Sequence, residues 1–164
     1  MSKIVADTGS LITLGKIPEG FKFAGRIIDT IIVPPAFMHE VSEEFDTPFD
    51  YLRHFQVNKL IAVESLQLNI NSELLVLDLG ETEAIALADE LKLDLLIEEK
   101  KGKRIVNHLG VKAYGVAGLI YRVFKQGVVS NNESNELLKA MLAVNRLNKV
   151  VYEATMKSLS KPLS

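Results

Sequence analysis

The side chains best suited to chemistry in this sequence are carboxylates that follow short apolar stretches. Asp7 comes directly after residues 3–6, and Glu98 comes directly after the largely apolar residues 93–97. Both stretches are typical of buried strands, and in a parallel sheet ligands bind beyond the carboxyl ends of the strands. If the two strands are neighbours, these carboxylates converge, with Glu99 beside them.

Two further acids lie on predicted helices. Helical spacing places Glu81 on the same face as Ile85 and Ala88, so its carboxylate should point towards the sheet. A buried carboxylate needs a partner, and a divalent cation is one such partner. The alternative is that Glu81 stabilises the N-terminus of its own helix. Glu40 lies at the edge of the apolar face of a helix over residues 36–45, where periodicity alone marks it as a surface acid.

Each acid also has a purely structural interpretation. Asp7 could cap the helix that follows it, because Asp is a preferred N-cap residue. Glu98 and Glu99 could be first-turn acids of the next helix, and Glu83, which faces away from Glu81, is expected to be solvated. The set is more informative than any member, because at least three acids fall at the same edge of the predicted sheet.

Alternating short strands and helices must position these acids. Strands are predicted over residues 3–6, 30–33, 60–63, 93–97 and 111–114. Helices are predicted at about residues 10–16, 19–28, 36–45, 49–55, 73–77, 81–91, 100–109, 115–126, 133–144 and 149–158. The strands lack polar alternation, as expected of strands that are buried on both faces. The pattern predicts an α/β fold in which helices cover both sides of a parallel sheet.

Length and composition restrict the possible classes of protein. The 164 residues suit one domain over 1–164, with the helices from about residue 133 packing on it or extending it. The absence of Cys excludes disulfides, thiolate zinc sites and a cysteine nucleophile. No apolar stretch is long enough to span a bilayer, and the N-terminus lacks the features of a signal peptide. We therefore expect a soluble cytoplasmic protein without a membrane partner.

The charge balance limits how the protein could bind nucleic acid. Its net charge is −2, whereas proteins that grip phosphates over a wide surface are usually basic. Contacts to nucleic acid would have to be local or mediated by bound cations. Lys100, Lys101, Lys103 and Arg104 form a basic run directly after the acids. Cations at a helix N-terminus oppose the helix dipole, so this run either binds a substrate phosphate or forms a solvated helix surface.

Several stretches, spread in order along nearly the whole chain, carry a family resemblance. They are VADTGSLI at 5–12 with LGKI at 14–17, VPP at 33–35 before HEV at 39–41, DLGETEAI at 78–85, LIEEKKGKR at 96–104, and GVAGLI at 115–120 before KQG at 125–127. With these stretches the sequence resembles the PIN-domain superfamily, and within it the DUF3368 type of VapC-like toxin nuclease. The resemblance implies a three-layer α/β/α domain with a central parallel sheet.

The resemblance also implies a metal-dependent ribonuclease site. Matched position by position, the resemblance implies a catalytic pocket for Mg²⁺ or Mn²⁺ that is formed by Asp7, Glu40, Glu81 and Glu98. Glu98-Glu99 stands where the family usually has Asp followed by an acidic or polar residue, so Glu99 is an alternative ligand. Such enzymes hydrolyse RNA phosphodiesters to leave a 5′-phosphate and a 3′-hydroxyl.

Further expectations concern the substrate and the partners. Thr8 or Ser10 would place a hydroxyl near the metal, and Lys100, Lys101 and Arg104 are candidates for binding the RNA. The resemblance implies a toxin paired with a small antitoxin protein, and a homodimer. The alternative is a binding or regulatory module with a weak or inactive pocket, which would act through a protein partner or a homodimer.

Overall fold

The computed structural model describes residues 3–41, 48–65, 79–98 and 100–161, without the side chains of residues 48–50, 79–80, 100–103 and 105. Its strands are β1 (Lys3–Ala6), β2 (Thr30–Val33), β3 (Ile61–Val63), β4 (Leu95–Leu96) and β5 (Ala113–Tyr114). Its helices are α1 (Thr8–Lys16), α2 (Gly20–Ile27), α3 (Ala36–Glu40), α4 (Pro48–His54), α5 (Leu79–Leu91), α6 (Lys100–Leu109), α7 (Val116–Lys125), α8 (Asn131–Ala143) and α9 (Lys149–Leu159).

The five strands form one parallel sheet with the order β3-β2-β1-β4-β5. The chain moves outward from β1 to β3 and then returns to the other side of β1 with β4. The strand order therefore reverses between β1 and β4. In open parallel sheets the ligand crevice forms at such a reversal, beyond the carboxyl ends of the strands. The acids that follow β1 and β4 lie at this position.

The sheet is buried on both faces, which confirms the expected three-layer α/β/α fold. Ile4 and Ala6 of β1 belong to a core cluster that includes residues of α1, α2, α7 and α8. Val5, between them, belongs to a second cluster with residues of α5 and α6. Successive side chains of a strand point to opposite faces, so each short strand contributes to both cores.

Strands β4 and β5 are shorter than the sequence predicts, and the reason is local. The residue 93 amide donates to Ala88 O at 3.1 Å, and the residue 111 amide donates to Val106 O at 3.1 Å. These bonds close the ends of α5 and α6, with Lys92 and Gly110 in the left-handed region. The residues expected to begin the two strands therefore serve as helix caps instead.

The last two helices pack on the body of the domain. Leu138 and Met141 of α8 and Leu159 of α9 are buried in the same cluster as Ile4 and Ala6 of β1. The expected helix at 73–77, and the last residues of the one expected at 36–45, lie outside the described residues. Within the described part of the chain, no helix combines the length and the apolar character that crossing a membrane requires.

Candidate active site at the end of the sheet

Asp7 is fixed by both the strand that precedes it and the helix that follows it. Its backbone N–H donates to Leu96 O of the neighbouring strand at 3.1 Å. Its carboxylate accepts a hydrogen bond from Ser10 N at 2.8 Å, which makes Asp7 the N-cap of α1. The capping role considered from sequence is therefore confirmed. The same contacts hold the carboxylate at the carboxyl end of β1, only 4% exposed.

Glu98 occupies the corresponding place after β4. Its Oε1 accepts a hydrogen bond from Val116 N at 2.9 Å, at the first residue of α7. The N-cap residue of α7 is Gly115, which has no side chain to accept that bond. Glu98 thus supplies a cap from a distant part of the chain. It is half-buried and close enough to Asp7 for the two charges to repel each other.

The electrostatics of Asp7 are those of a buried acid beside a second acid. The pKa of Asp7 is raised from 3.8 to about 6, mainly by burial and to a smaller extent by repulsion from Glu98, whereas the hydroxyl and amide of Ser10 act to lower it. The nearby Glu98 backbone amide lowers the pKa by a smaller amount. Holding this carboxylate ionised without a counter-charge therefore costs the fold free energy.

Two residues with hydroxyl groups close to Asp7 in the chain are buried. Thr8 is 5% exposed and Ser10 is fully buried. The Ser10 hydroxyl lies near enough to Asp7 to lower its pKa. It nevertheless has no partner of hydrogen-bonding geometry among the described residues. A buried polar oxygen without a partner is costly, so this atom is suited to bind a ligand or water.

The other predicted acids lie on α3 and α5, two helices that are in contact with each other. Glu40 is half-buried at the end of α3, and Glu81 is half-buried in the first turn of α5. The expectation that Glu83 is solvated was wrong. Its Oε2 accepts a hydrogen bond from Ala36 N at 3.1 Å, at the start of α3. The helix α5 is buried around more of its circumference than its periodicity indicated, since Leu87 is also fully buried.

The arrangement fits a hard divalent cation held by few protein ligands. No group of three or more His, Asp or Glu side chains in the described ranges is close enough to hold a metal ion. Asp7 and Glu98 do come together, with the Ser10 hydroxyl beside them. Mg²⁺ is usually held by one or two carboxylates and keeps several water ligands. Two carboxylates and a hydroxyl are oxygen donors of the kind that Mg²⁺ and Mn²⁺ accept.

The basic run after the acids is only partly described. Arg104 is exposed on α6, whereas Glu99 and the side chains of Lys100, Lys101 and Lys103 lie outside the described residues. Their assignments as metal ligand and RNA contacts stay predictions.

Sequence analysis missed a cation that the fold brings to the acids. Arg146, in the turn between α8 and α9, donates from Nη2 to Gly9 O at 2.8 Å and from Nε to Thr13 Oγ1 at 2.8 Å. A Cβ added to Gly9 would lie 3.6 Å from Arg146 Nη2 and 3.8 Å from each Asp7 carboxylate oxygen. The guanidinium and the carboxylate thus border the same small space. No local pattern in the sequence connects this turn with α1.

A groove between α7 and α9 is lined in part by two of the residues around this space. Its volume is about 810 Å³, and its walls include Glu98, Gly115, Arg146 and Asn148. We call it the α7–α9 groove. A smaller cavity of about 450 Å³ lies between α2 and α8 and is lined by the ion-paired Arg26 and Glu133. That cavity contains none of the predicted site residues, so the α7–α9 groove is the more relevant of the two.

Two solved structures are among the known proteins to which this chain is similar. A PilT N-terminus domain protein from the hyperthermophilic archaeon Sulfolobus solfataricus is 17% identical, covers 73% of this chain and 90% of its own, and has a TM-score of 0.47. A domain of a functionally unknown protein from Methanocaldococcus jannaschii is 21% identical, with coverages of 71% and 91% and a TM-score of 0.45. Similarity at this level carries no further inference. No curated protein matches the chain.

The family assignment rests on a match over almost the full sequence. The profile of DUF3368, described as a PIN domain, matches residues 3–161. This match includes the strands that precede Asp7 and Glu98 and the helices that those acids cap. PIN domains are typically nucleases. The chain belongs to the PIN domain family.

Proposed function

We propose that this protein is a divalent-metal-dependent endoribonuclease that hydrolyses RNA phosphodiesters. The observation that carries the proposal is the Asp7–Glu98 pair at the strand-order reversal. There, two carboxylates are held close together although repulsion raises the pKa of Asp7. An enzyme site often retains such an unfavourable charge arrangement, because a ligand relieves it. A divalent cation is the simplest ligand that would neutralise both acids.

Within this proposal the acids have distinct tasks. Asp7 and Glu98 would hold Mg²⁺ or Mn²⁺ directly or through water, with the Ser10 hydroxyl as a further oxygen donor. Glu81 and Glu40 would complete the pocket and orient the attacking water. The bound cation would supply a more acidic water and electrostatic stabilisation of the phosphoryl oxygens. Ionised Asp7 is needed for this, so binding the cation competes with protonation of the carboxylate.

The surrounding backbone also favours an anionic substrate. The N-termini of α1 and α7 both open at this edge of the sheet, because Asp7 and Glu98 cap them. Helix N-termini carry a partial positive charge and attract phosphate groups. These dipoles offset part of the repulsion between the acids and an incoming phosphodiester.

RNA cleavage with and without the acid pair tests the proposal. A labelled single-stranded RNA is incubated with Mn²⁺ and the wild-type protein, Asp7→Asn or Glu98→Gln. We expect each substitution to lower the rate by about 100-fold or more, the loss typical of a removed electrostatic stabiliser. Asp29→Asn is the matched control, because Asp29 is an exposed acid outside the site. Equal rates for wild type and Asp7→Asn would reject the proposal.

One observation favours the alternative function, a binding or regulatory module. Asp7 and Glu98 each cap a helix, so the fold has a use for both carboxylates even without a metal ion. In that case the protein would act through a partner protein or a homodimer. Such a module would show no metal-dependent cleavage by the wild-type protein, and Asp7→Asn would leave partner binding unchanged.

The biological role that we propose is that of a toxin held inactive by a small antitoxin protein, with the active chain as a homodimer. This part of the proposal rests on the resemblance to VapC-like toxins. Expression of the wild-type protein alone should slow growth, and expression of Asp7→Asn should not. Growth at the same rate with both proteins would contradict the toxin role without affecting the nuclease assignment.

A further inference from the structure

We propose that Arg146 binds a phosphate oxygen of the substrate in the space between its guanidinium and the Asp7–Glu98 pair. Arg146 would act as a substrate-positioning residue that is supplied by the α8–α9 turn, far along the chain from the acids. The inference rests on the proposed nuclease function, since it takes the ligand to be a phosphodiester.

The backbone of Arg146 is held in one position by the end of α8. The Arg146 amide donates to Met141 O at 2.9 Å, and the Asn145 amide donates to Leu142 O at 3.2 Å. Asn145 adopts the left-handed conformation, with φ of 58°. Together these features form a Schellman motif, which ends a helix in a defined geometry. The turn therefore presents Arg146 to α1 from a fixed point.

The Arg146 guanidinium is held in place by hydrogen bonds but does not use all of its N–H donors. Its two recorded hydrogen bonds, to Gly9 O and to Thr13 Oγ1, use Nη2 and Nε. An arginine has five N–H donors, so three remain available after these bonds. No carboxylate in the described part of the chain forms an ion pair with Arg146. A half-buried guanidinium with unused donors and no carboxylate at ion-pair distance among the described residues is suited to bind an anion.

The position of the guanidinium specifies where that anion would lie. The point where a Gly9 Cβ would stand is 3.6 Å from Arg146 Nη2 and 3.8 Å from both Asp7 carboxylate oxygens. The site is therefore bordered by the Arg146 guanidinium on one side and by the Asp7 carboxylate on the other. Glu98 and Arg146 also both line the α7–α9 groove, so a ligand in the groove can reach both.

A phosphodiester fits this environment better than a carboxylate or a neutral group. A non-bridging phosphate oxygen would accept hydrogen bonds from the guanidinium, and a cation held by Asp7 and Glu98 would neutralise part of the phosphate charge. Arginine forms strong, charge-assisted hydrogen bonds with phosphate oxygens, often two at a time. The contact is also compatible with the net charge of −2, because it needs one local cation and no wide basic surface.

Salt-dependent RNA binding distinguishes this role from a purely structural one. Binding of a fluorescent single-stranded RNA is measured by anisotropy in the Asp7→Asn background, which prevents cleavage, over a series of salt concentrations. Adding Arg146→Gln should weaken binding by about tenfold, as expected for loss of a charged hydrogen bond. It should also make the slope of log K against log salt shallower by about 0.7, the value for one phosphate contact on a single strand.

Lys139→Gln provides the matched control. It removes one positive charge from the same helical hairpin, at an exposed side chain whose recorded contact is with Glu136. If Arg146→Gln changes the affinity and slope no more than Lys139→Gln does, the inference is overturned. A loss of stability alone would lower the active fraction of protein without altering the slope.

Gly9→Ala provides a second test that keeps Arg146 and its charge intact. The added methyl would make only ordinary van der Waals contacts, so the protein should fold, but the methyl would fill the proposed phosphate site. We expect weaker RNA binding, again by about tenfold. Unchanged binding would contradict the inference. If both variants weaken RNA binding but the wild-type protein does not cleave RNA, the nuclease proposal is rejected and the phosphate contact is retained.

Discussion

The Asp7 side chain stabilises α1 as its N-cap, but burying its negative charge costs free energy. Its carboxylate caps α1 through Ser10 N, yet burial and the neighbouring Glu98 raise its pKa to about 6. In the unfolded chain the pKa would be near 3.8. The folded protein therefore binds a proton at this site more tightly than the unfolded protein does. By linkage, Asp7 contributes most to stability below about pH 4 and contributes less as the pH rises through about 6.

Asp7→Asn should consequently stabilise the metal-free protein at neutral pH. The amide can still accept the hydrogen bond from Ser10 N, but it carries no charge to bury. A shift from 3.8 to about 6 corresponds to about 3 kcal/mol at most, so we expect a gain of about 1–3 kcal/mol at pH 7. Urea unfolding in the presence of EDTA measures this gain, which should disappear near pH 4.

The exposed acid Asp29 gives the control for this experiment. Asp29→Asn should change stability by less than about 0.5 kcal/mol at every pH, as is usual for surface substitutions. An Asp7→Asn protein that is less stable than wild type at pH 7 would show that the charge of Asp7 is compensated inside the metal-free fold.

Residue identity predicted part of the site and left the rest undetermined. The position of Asp7 and Glu98 after two apolar strands predicted that they meet if those strands are neighbours, because neighbouring parallel strands end at the same edge. The structure supplies the missing condition, since β1 pairs with β4. Arg146 could not be found in this way. Its contact with Gly9 depends on how the α8–α9 turn packs against α1, which is a tertiary contact without a local signal.

At the scale of elements, distant carboxylates complete the N-termini of two helices. Glu83 of α5 serves α3, and Glu98 serves α7, whereas Asp7 caps α1 locally. The first N–H groups of a helix have no partners within it, so such caps stabilise the helix and also join two elements. The bond from Ala36 N to Glu83 thereby ties the helix that carries Glu40 to the helix that carries Glu81.

Removing the Glu83 carboxylate should therefore destabilise the protein. We expect Glu83→Ala to lower the free energy of unfolding by about 0.5–2 kcal/mol, the range for loss of a capping side chain. Glu83→Gln should lower it by less, because its amide oxygen can accept the same hydrogen bond. Chemical denaturation followed by circular dichroism measures both values.

Asp89→Asn on the same helix is the comparison for Glu83. Its recorded ion pair, with Lys92 at 3.3 Å, is largely exposed, and such pairs contribute little. If Glu83→Ala proves no more destabilising than Asp89→Asn, the hydrogen bond to α3 does not stabilise the fold.

Element types were predictable from the sequence, whereas some ends were not. Apolar runs without alternation correctly indicated buried parallel strands on both sides of β1. The strand preceding Glu98 was predicted too long, because apolar residues look alike whether they extend a strand or close a helix. Lys92 adopts the left-handed conformation and turns the chain at the end of α5, so β4 begins only after this turn.

At the scale of the whole molecule, the strand order and the helix packing determine where the charged side chains of the site lie. The protein has a net charge of −2, and its functional cations must be placed locally. The strand order brings Asp7 and Glu98 together, and packing of α8 and α9 adds Arg146 from the far end of the chain. The order of the strands was not deducible from the sequence pattern alone, since several arrangements bury the same apolar residues.

Titration calorimetry with Mn²⁺ tests most directly whether the paired acids share an ion. We expect the wild-type protein to bind Mn²⁺, and Asp7→Asn and Glu98→Gln each to lower the affinity by about tenfold or more, a loss of about 1.4 kcal/mol. Asp29→Asn should bind as the wild type does. Two results would contradict the claim that these acids share an ion. One is a wild-type protein that binds no Mn²⁺, and the other is binding of Mn²⁺ by Asp7→Asn and Glu98→Gln with the wild-type affinity.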